Sequence, residues 1–287
     1  MKILVTGAKG QLGYDIVKEL DSRNIPHMGI DIDDCDITSK SAVYKLIEAF
    51  TPTVVIHCAA YTAVDKAEDE QETCRLVNEE GTRNIALACK QINAKLIYIS
   101  TDYVFAGTGS HFNKPTDATV PLSVYGKTKL AGEKAVQEIL ERYFIVRITG
   151  AYGHNGHNFV KTMLRLGKER TSLNIVRDQV GTPTYTADLA PLLCDMAASE
   201  KYGVYHATNE GVCSWAEFAT EIFRLAKMDI GVNPIPTSEY PTKAARPLNF
   251  RLDKSCLDES GFARLPHWKD ALARFINLNN EIQEVLL

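Results

Sequence analysis

A phenol and an ammonium stand four residues apart in the run Leu122-Ser-Val-Tyr-Gly-Lys-Thr-Lys129, and Tyr125 and Lys129 share one face if that run is helical. The pair suits proton chemistry, because a phenol titrates at about pH 10 and a neighbouring cation draws it toward neutrality. The spacing by itself is common on surface helices, and two other features make it specific. The apolar stretch Leu96-Ile-Tyr-Ile-Ser-Thr101 ends in two hydroxyls, of which Thr101 is the better placed to polarise the oxygen that the phenol protonates. Gly7-Ala-Lys-Gly10-Gln-Leu-Gly13 separates a β-branched run from a helical period, the context that turns a glycine pattern into a dinucleotide-binding turn. In this order the three read as a nicotinamide-dependent reductase, with Tyr125 exchanging a proton with a carbonyl or alcohol.

At the cofactor end, Gly7 permits the tight turn, Gly10 the approach of backbone N–H groups to pyrophosphate, and Gly13 close helix packing. Gln11 and Leu12, between the last two glycines, count with them as cofactor residues. Asp31 follows eighteen residues after Gly13, where a carboxylate accepts hydrogen bonds from the adenosine ribose; a strand-end turn is its other reading. Asp36 and Ile37 either flank the adenine or belong to the turn before the next helix. Ile32-Asp33-Asp34 offers no Arg to a 2′-phosphate, which favours NADH, with NADPH as the alternative. Ala59, Ala60, Tyr61 and Thr62 close the third strand with mostly small residues against which a flat cofactor can lie.

The elements that must position these residues follow from periodicity. Apolar, β-rich runs at 2–6, 26–30, 53–58, 95–100 and 143–148 alternate with helical periods at 11–20, 39–50, 74–92 and 124–141. Such alternation implies an α/β fold, a Rossmann-type doubly wound parallel sheet covered on both faces. Beyond Gly150 the pattern loosens into helices at 158–168, 187–198 and 214–227 and extended runs at 173–176 and 203–207. Ser214 and Glu217 are spaced as a capping box, and 232–249, with four of the eleven prolines, reads as an ordered irregular lobe. The expected division is a dinucleotide-binding domain over 1–150, with later returns near 178–207, and a smaller C-terminal substrate-binding α/β lobe over 151–287.

Composition narrows the partners. The 287 residues, 45% hydrophobic, suffice for a sizeable core. A net charge of −4 with no basic, aromatic-interleaved cluster argues against nucleic acid. Seven scattered cysteines without C-x-x-C spacing read as thiols in a reducing compartment rather than a metal site. No apolar run approaches bilayer length, and the first residues enter a strand without a signal peptide, so a cytoplasmic protein is expected. His57, inside an apolar strand, reads as a hydrogen-bonded core histidine rather than a base. His111, His154 and His157 lie in loops without a ligand constellation. Trp215 and Phe218 read as core, or else as a platform for a base. Lys161, Arg177 and Arg246 read as surface charges or as partners of a diphosphate.

At these residues the chain resembles the extended short-chain dehydrogenase/reductase family. The strings that carry the likeness run along nearly the whole chain: Ala59-Ala-Tyr-Thr-Ala-Val-Asp-Lys-Ala-Glu68, Ser100-Thr-Asp-Tyr-Val-Phe105, Asn158-Phe-Val-Lys-Thr-Met163, Asp178-Gln-Val-Gly-Thr-Pro-Thr184 and Arg246-Pro-Leu-Asn-Phe-Arg251. The resemblance implies reduction of the C4 keto group of dTDP-4-dehydro-L-rhamnose to dTDP-L-rhamnose. It also implies catalytic roles for Thr101, Tyr125 and Lys129, a sugar contact at Asp102, cofactor contacts at Ala60 to Thr62, and an active-site or strand-supporting Asn78. Asn158 falls where related sugar-nucleotide enzymes hold pyrophosphate. Asp65, Lys66 and Glu68 are expected as structural ion pairs or as a rim of the site. Implied partners are a nucleotide sugar and at most a second copy of the chain. An epimerase or dehydratase of the same fold, a reductase of another nucleotide sugar, and a non-catalytic NAD(P)-binding regulatory subunit are the alternatives. One departure stands out: the family often reads Arg-Thr-Ser-Trp after the fifth strand, and here the run is Arg147-Ile-Thr-Gly150, which predicts a wider sugar pocket.

Overall fold

The computed structural model describes residues 1–278. Its first half alternates strand and helix: β1 (Ile3–Thr6), α1 (Gln11–Ser22), β2 (His27–Ile30), α2 (Lys40–Phe50) and β3 (Val54–His57). Two short helices, α3 (Val64–Ala67) and α4 (Gln71–Arg75), lead through a π-helical stretch, Leu76–Gly81, into α5 (Thr82–Gln91). Then come β4 (Lys95–Thr101), α6 (Val124–Ile139) and β5 (Tyr143–Ile148). The remainder is β6 (Ala151–Tyr152), α7 (Phe159–Glu169), β7 (Ser172–Val176), β8 (Val180–Gly181), β9 (Thr184–Tyr185), α8 (Thr186–Ala198) and β10 (Gly203–His206). It continues with β11 (Cys213–Ser214), α9 (Trp215–Leu225), β12 (Gly231–Ile235), β13 (Asn249–Phe250), α10 (Ser255–Glu259) and α11 (Trp268–Leu278).

Six strands form one parallel sheet in the order β10-β5-β4-β3-β1-β2. β1 and β3 are neighbours with β2 on the far side, so the connections leave β1 in opposite directions. The chain opens a crevice at the carboxyl ends of those strands, where open α/β sheets bind ligands. Strands β1, β3 and β4 are buried along their whole length, which is why they read as unbroken apolar runs rather than as alternations. One face of the sheet packs Ile3, Val5, Ile97 and Phe144 against Ile16 and Leu20 of α1 and Leu189 and Leu193 of α8. The other packs Leu4, Val55, Leu96 and Ile145 against α2, α5 and α6. A second core, built on Tyr152, Val160, Phe218, Phe223, Leu272 and Phe275, holds the smaller lobe together.

The structure departs from the sequence expectation in two elements. The helix expected over 74–92 starts earlier and carries the π-helical stretch, which turns Asn78 and Thr82 inward. The segment expected to be irregular over 232–249 begins with β12, a parallel partner of β7. Pro234 lies inside β12, which pairs on one side only, and an edge strand tolerates the missing N–H.

Candidate active site

A cleft of about 820 Å³ runs along the carboxyl ends of β1 to β5. Gly7, Gly10, Gln11, Leu12 and Gly13 line it at one end with Asp31, Asp36 and Ile37, Ala59, Ala60 and Thr62 line its middle, and Thr101, Asp102, Tyr125 and Lys129 line the other end. Tyr61 and Asn158 are not in the lining. Tyr61 faces outward, where its hydroxyl donates to Glu70 at 2.6 Å, and Asn158 caps α7.

The glycine turn is built as the motif requires. Gly7 has φ of +67°, and a Cβ on Gly13 would stand 2.1 Å from the Gly7 carbonyl oxygen, so the first turn of α1 can press onto the turn only without one. Gly10 is the N-cap of α1 and no side chain caps it, which leaves the first-turn N–H groups for a ligand. Asp31 accepts from the Lys9 N–H at 2.9 Å and from the Ile32 N–H at 2.9 Å, which ties the end of β2 to the glycine turn. Asp36 lines the cleft and is also a turn residue, accepting from the N–H and hydroxyl of Thr38. Ile37 is buried. A cation does reach this end: the Lys9 ammonium, coming from the glycine turn rather than from Ile32-Asp33-Asp34, lies 2.6 Å from Asp33, and both side chains are exposed. These groups fit a dinucleotide, with open N–H groups for a diphosphate, a carboxylate for a ribose, and a cleft long enough to reach Tyr125.

At the other end of the cleft, α6 starts at Ser123, whose hydroxyl accepts from the Gly126 N–H at 3.1 Å, and Glu68 accepts from the Val124 N–H at 2.9 Å. Tyr125 therefore sits in the first turn, its ring edge-on to Tyr103 at 5.4 Å. Burial is the largest influence on its phenol and pushes the pKa above the usual value, while hydrogen bonding with Thr101 pulls the other way. The lowering by Lys129 that the sequence suggests is not what the fold provides. Lys129 donates to the Ile99 carbonyl at 2.7 Å and lies 4.1 Å over the Tyr98 ring. Burial draws its own pKa down to about 7, with Glu133 opposing. The arrangement keeps the phenol protonated, the state a proton donor needs. Thr101, at the end of β4, donates to Asp102 at 3.2 Å and accepts from the Tyr103 N–H at 3.2 Å. Burial pushes the Asp102 carboxyl up to about 7.

Supporting residues were less visible in the sequence. Asn78 accepts from the Tyr61 N–H at 2.8 Å and donates to the Tyr61 carbonyl and to Thr128 on α6, each at 3.1 Å, so it fastens the strand-end segment 59–62 to the catalytic helix. Glu133, one turn after Lys129, is buried and held bidentately by the buried Arg147 of β5 at 2.9 and 2.7 Å, and it accepts from Ser100 at 2.5 Å. The available signal was a carboxylate on the Tyr125 and Lys129 stripe, where burial demands a partner. His57 is a core residue, with Nδ1 2.7 Å from Thr6 and Nε2 3.2 Å from Thr82. Arg246 pairs with Asp65 at 2.5 Å and donates to the Tyr103 hydroxyl at 3.3 Å, closing a rim across the cleft. Lys66 pairs with Glu70. Lys161 and Arg177 donate to the carbonyls of His154 and Pro234.

Gly150 lines the cleft with φ of +47°. A Cβ there would lie 3.0 Å from Cη2 of Trp215, so the space beside the glycine is taken by an indole rather than left wide. Trp215 is half-buried between Phe159 at 4.7 Å and Phe250 at 5.7 Å, whereas Phe218 is core. Among the described residues no group of three or more His, Cys, Asp or Glu could hold a metal ion, and no helix is long and apolar enough to cross a membrane.

Comparison with known proteins shows what the chain is similar to. A family model described as the RmlD substrate binding domain matches residues 1–280. A dTDP-4-dehydrorhamnose reductase from Aggregatibacter actinomycetemcomitans is 40% identical over 284 residues, covering 94% of this chain and 97% of that one. The crystal structure of a dTDP-4-dehydrorhamnose reductase from Clostridium acetobutylicum superposes with a TM-score of 0.95 at 44% identity, over 97% of this chain and 99% of that one. The dTDP-4-dehydrorhamnose reductase of Bacillus anthracis, solved in complex with NADP, gives 0.94 at 42% identity, over 97% and 100%.

Proposed function

Because the chain belongs to the RmlD substrate binding domain family, we propose that it reduces the C4 keto group of dTDP-4-dehydro-L-rhamnose to dTDP-L-rhamnose, using NADH or NADPH. The observation that carries the reading is one continuous cleft leading from the open N-terminus of α1 to a buried hydroxyl and ammonium and a half-buried phenol. The glycine turn and α1 hold the diphosphate, Asp31 takes the adenosine ribose, and Ala59, Ala60 and Thr62 leave room for the flat rings. When bound, the reduced dinucleotide supplies the hydride.

Tyr125 donates its proton to the C4 oxygen as C4 becomes tetrahedral, a contribution of about 10²- to 10⁴-fold for a positioned general acid. Burial, by keeping the phenol protonated, favours this direction. Thr101 turns the proton it gives to Asp102 to the same oxygen, and a single donor of that kind is worth about 10²- to 10³-fold. Lys129 is fixed on the Ile99 carbonyl, where it serves the ribose. Asp102 meets the sugar next to Thr101. The seven unpaired thiols suit the reducing cytoplasm.

Tyr125→Phe tests the mechanism. The expected result is a kcat lowered at least 100-fold for dTDP-4-dehydro-L-rhamnose, with dinucleotide affinity retained by fluorescence titration. Full turnover in this variant would remove Tyr125 from the role. Net consumption of added NADPH or NADH separates a reductase from an epimerase or dehydratase, which returns the hydride to its substrate.

A further inference from the structure

Six residues between β6 and α7, Gly153-His-Asn-Gly-His-Asn158, lie across the glycine turn and are bonded to it at three points. The Gly153 N–H and the Asn158 Nδ2 both donate to Oε1 of Gln11, at 2.9 and 3.1 Å. Asn155 Nδ2 donates to the Lys9 carbonyl at 2.6 Å. A Cβ on Gly156, at φ of +70°, would reach Gln11 Cγ at 3.5 Å, so the backbone runs close over that side chain. His157, on the same segment, lines the cleft beside Gly10 and Gln11.

Two amide side chains at this end of the cleft are thereby engaged with the segment. Asn158 gives one amide hydrogen to Gln11 and the other to the Gly153 carbonyl at 2.9 Å, while its Oδ1 accepts from the Lys161 N–H at 3.0 Å as the cap of α7. Gln11 gives its Oε1 to the segment and accepts both of these bonds there. Both side chains therefore hold the segment against the glycine turn. The bonds are neutral and close to solvent, each strong enough to bias a closed position and weak enough to open.

We infer that residues 153–158 form a gate over the diphosphate of the bound dinucleotide, latched to the glycine turn through Gln11 and Asn158. This rests on the reductase reading of the cleft. Opening the gate means breaking the two bonds to Gln11 Oε1 and the bond from Asn155 to the Lys9 carbonyl, and the dinucleotide enters and leaves along that rim.

The test is the dissociation of NADPH from the full chain without sugar, followed by stopped-flow fluorescence during displacement. Gln11→Ala removes the latch. Asn158→Asp keeps an oxygen to cap α7 but loses both donors, so the helix stays capped while the latch opens. Each variant is expected to raise the dissociation rate constant about tenfold. The double variant is expected to be no faster than the faster single one, because both act through one oxygen. A melting temperature for Asn158→Asp near that of the parent chain shows that the cap survives. Dissociation rates unchanged in both variants, or gains that add in the double variant, overturn the gate while leaving the reductase reading intact. Failure of the unsubstituted chain to bind either dinucleotide overturns that reading, and the gate with it.

Discussion

At the scale of single residues, the buried titratable groups fix how the fold responds to acid. His57 and His206 are shut into the sheet, and burial draws both imidazoles down to about 3. Each is neutral in the folded chain and takes up a proton in the unfolded one below about pH 6.5. Their contribution is fully present above that pH and is lost as pH falls toward 3. Asp102 works against them: with its pKa raised to about 7, the folded chain keeps a proton that the unfolded one releases, so this group adds stability as pH falls from 7 toward 4. Two imidazoles outweigh one carboxyl, and the urea midpoint is expected to drop between pH 7 and 4.5. His57→Asn should lower stability at pH 7 by losing its bonds to Thr6 and Thr82, yet flatten the acid slope; a slope equal to that of the parent chain would mean that His57 is not held neutral. That Thr101, Tyr125 and Lys129 would line one cleft was legible in the sequence, because hydroxyl, phenol and ammonium fall at fixed offsets from a strand end and along one helix face. Their electrostatics were not. Whether Lys129 acts on Tyr125 or on the Ile99 carbonyl depends on how far α6 sinks against β4, and spacing says nothing of depth.

At the scale of elements, α6 is the piece whose placement decides the site, and its anchor is the buried pair of Glu133 with Arg147 on β5. Ser100 and the Pro115 carbonyl complete the shell, and the guanidinium lies 5.1 Å over Phe105. With both side chains almost wholly shielded, breaking the pair leaves an uncompensated charge, at a cost of about 3–5 kcal/mol. Glu133→Gln is expected to lose that much in urea unfolding. Glu133→Gln combined with Arg147→Met should recover a large part of it, since no unpaired charge remains. Equal losses in the single and double variants would show that packing, not charge, anchors α6. Strands and helices of the sheet were readable because burial on both faces leaves unbroken apolar runs. The π-helical stretch was not, since 3.6-residue periodicity holds on either side of it and the extra residue per turn is set by what Asn78 and Thr82 must reach. β12 escaped for a different reason: Pro234 argues against a strand anywhere except at an edge, and sequence does not reveal edges.

At the scale of the whole molecule, the chain crosses from the large lobe to the small one at Gly150 and then returns. α8 packs on α1, and β10 completes the sheet beside β5. Leu189, Leu192, Leu193, Met196 and Tyr205, all from beyond residue 150, belong to the same core cluster as Ile3, Val5, Ile16 and Phe144. At about 2 kcal/mol for each large buried side chain, these five supply about 10 kcal/mol, comparable with the 5–15 kcal/mol of net stability that an ordinary domain has, roughly, in total. The two lobes are therefore not independently folding pieces. A fragment of residues 1–150 is expected to remain unfolded even with saturating NADPH, because the part of the sheet face that α8 covers beside α1 and the outer edge of β5 would be bare. Its amide ¹H–¹⁵N spectrum should show the narrow dispersion of a disordered chain. A dispersed spectrum with protected amides in β1, β3 and β4 would show instead that the sheet closes without α8 and β10, and that Gly150 marks a true folding boundary.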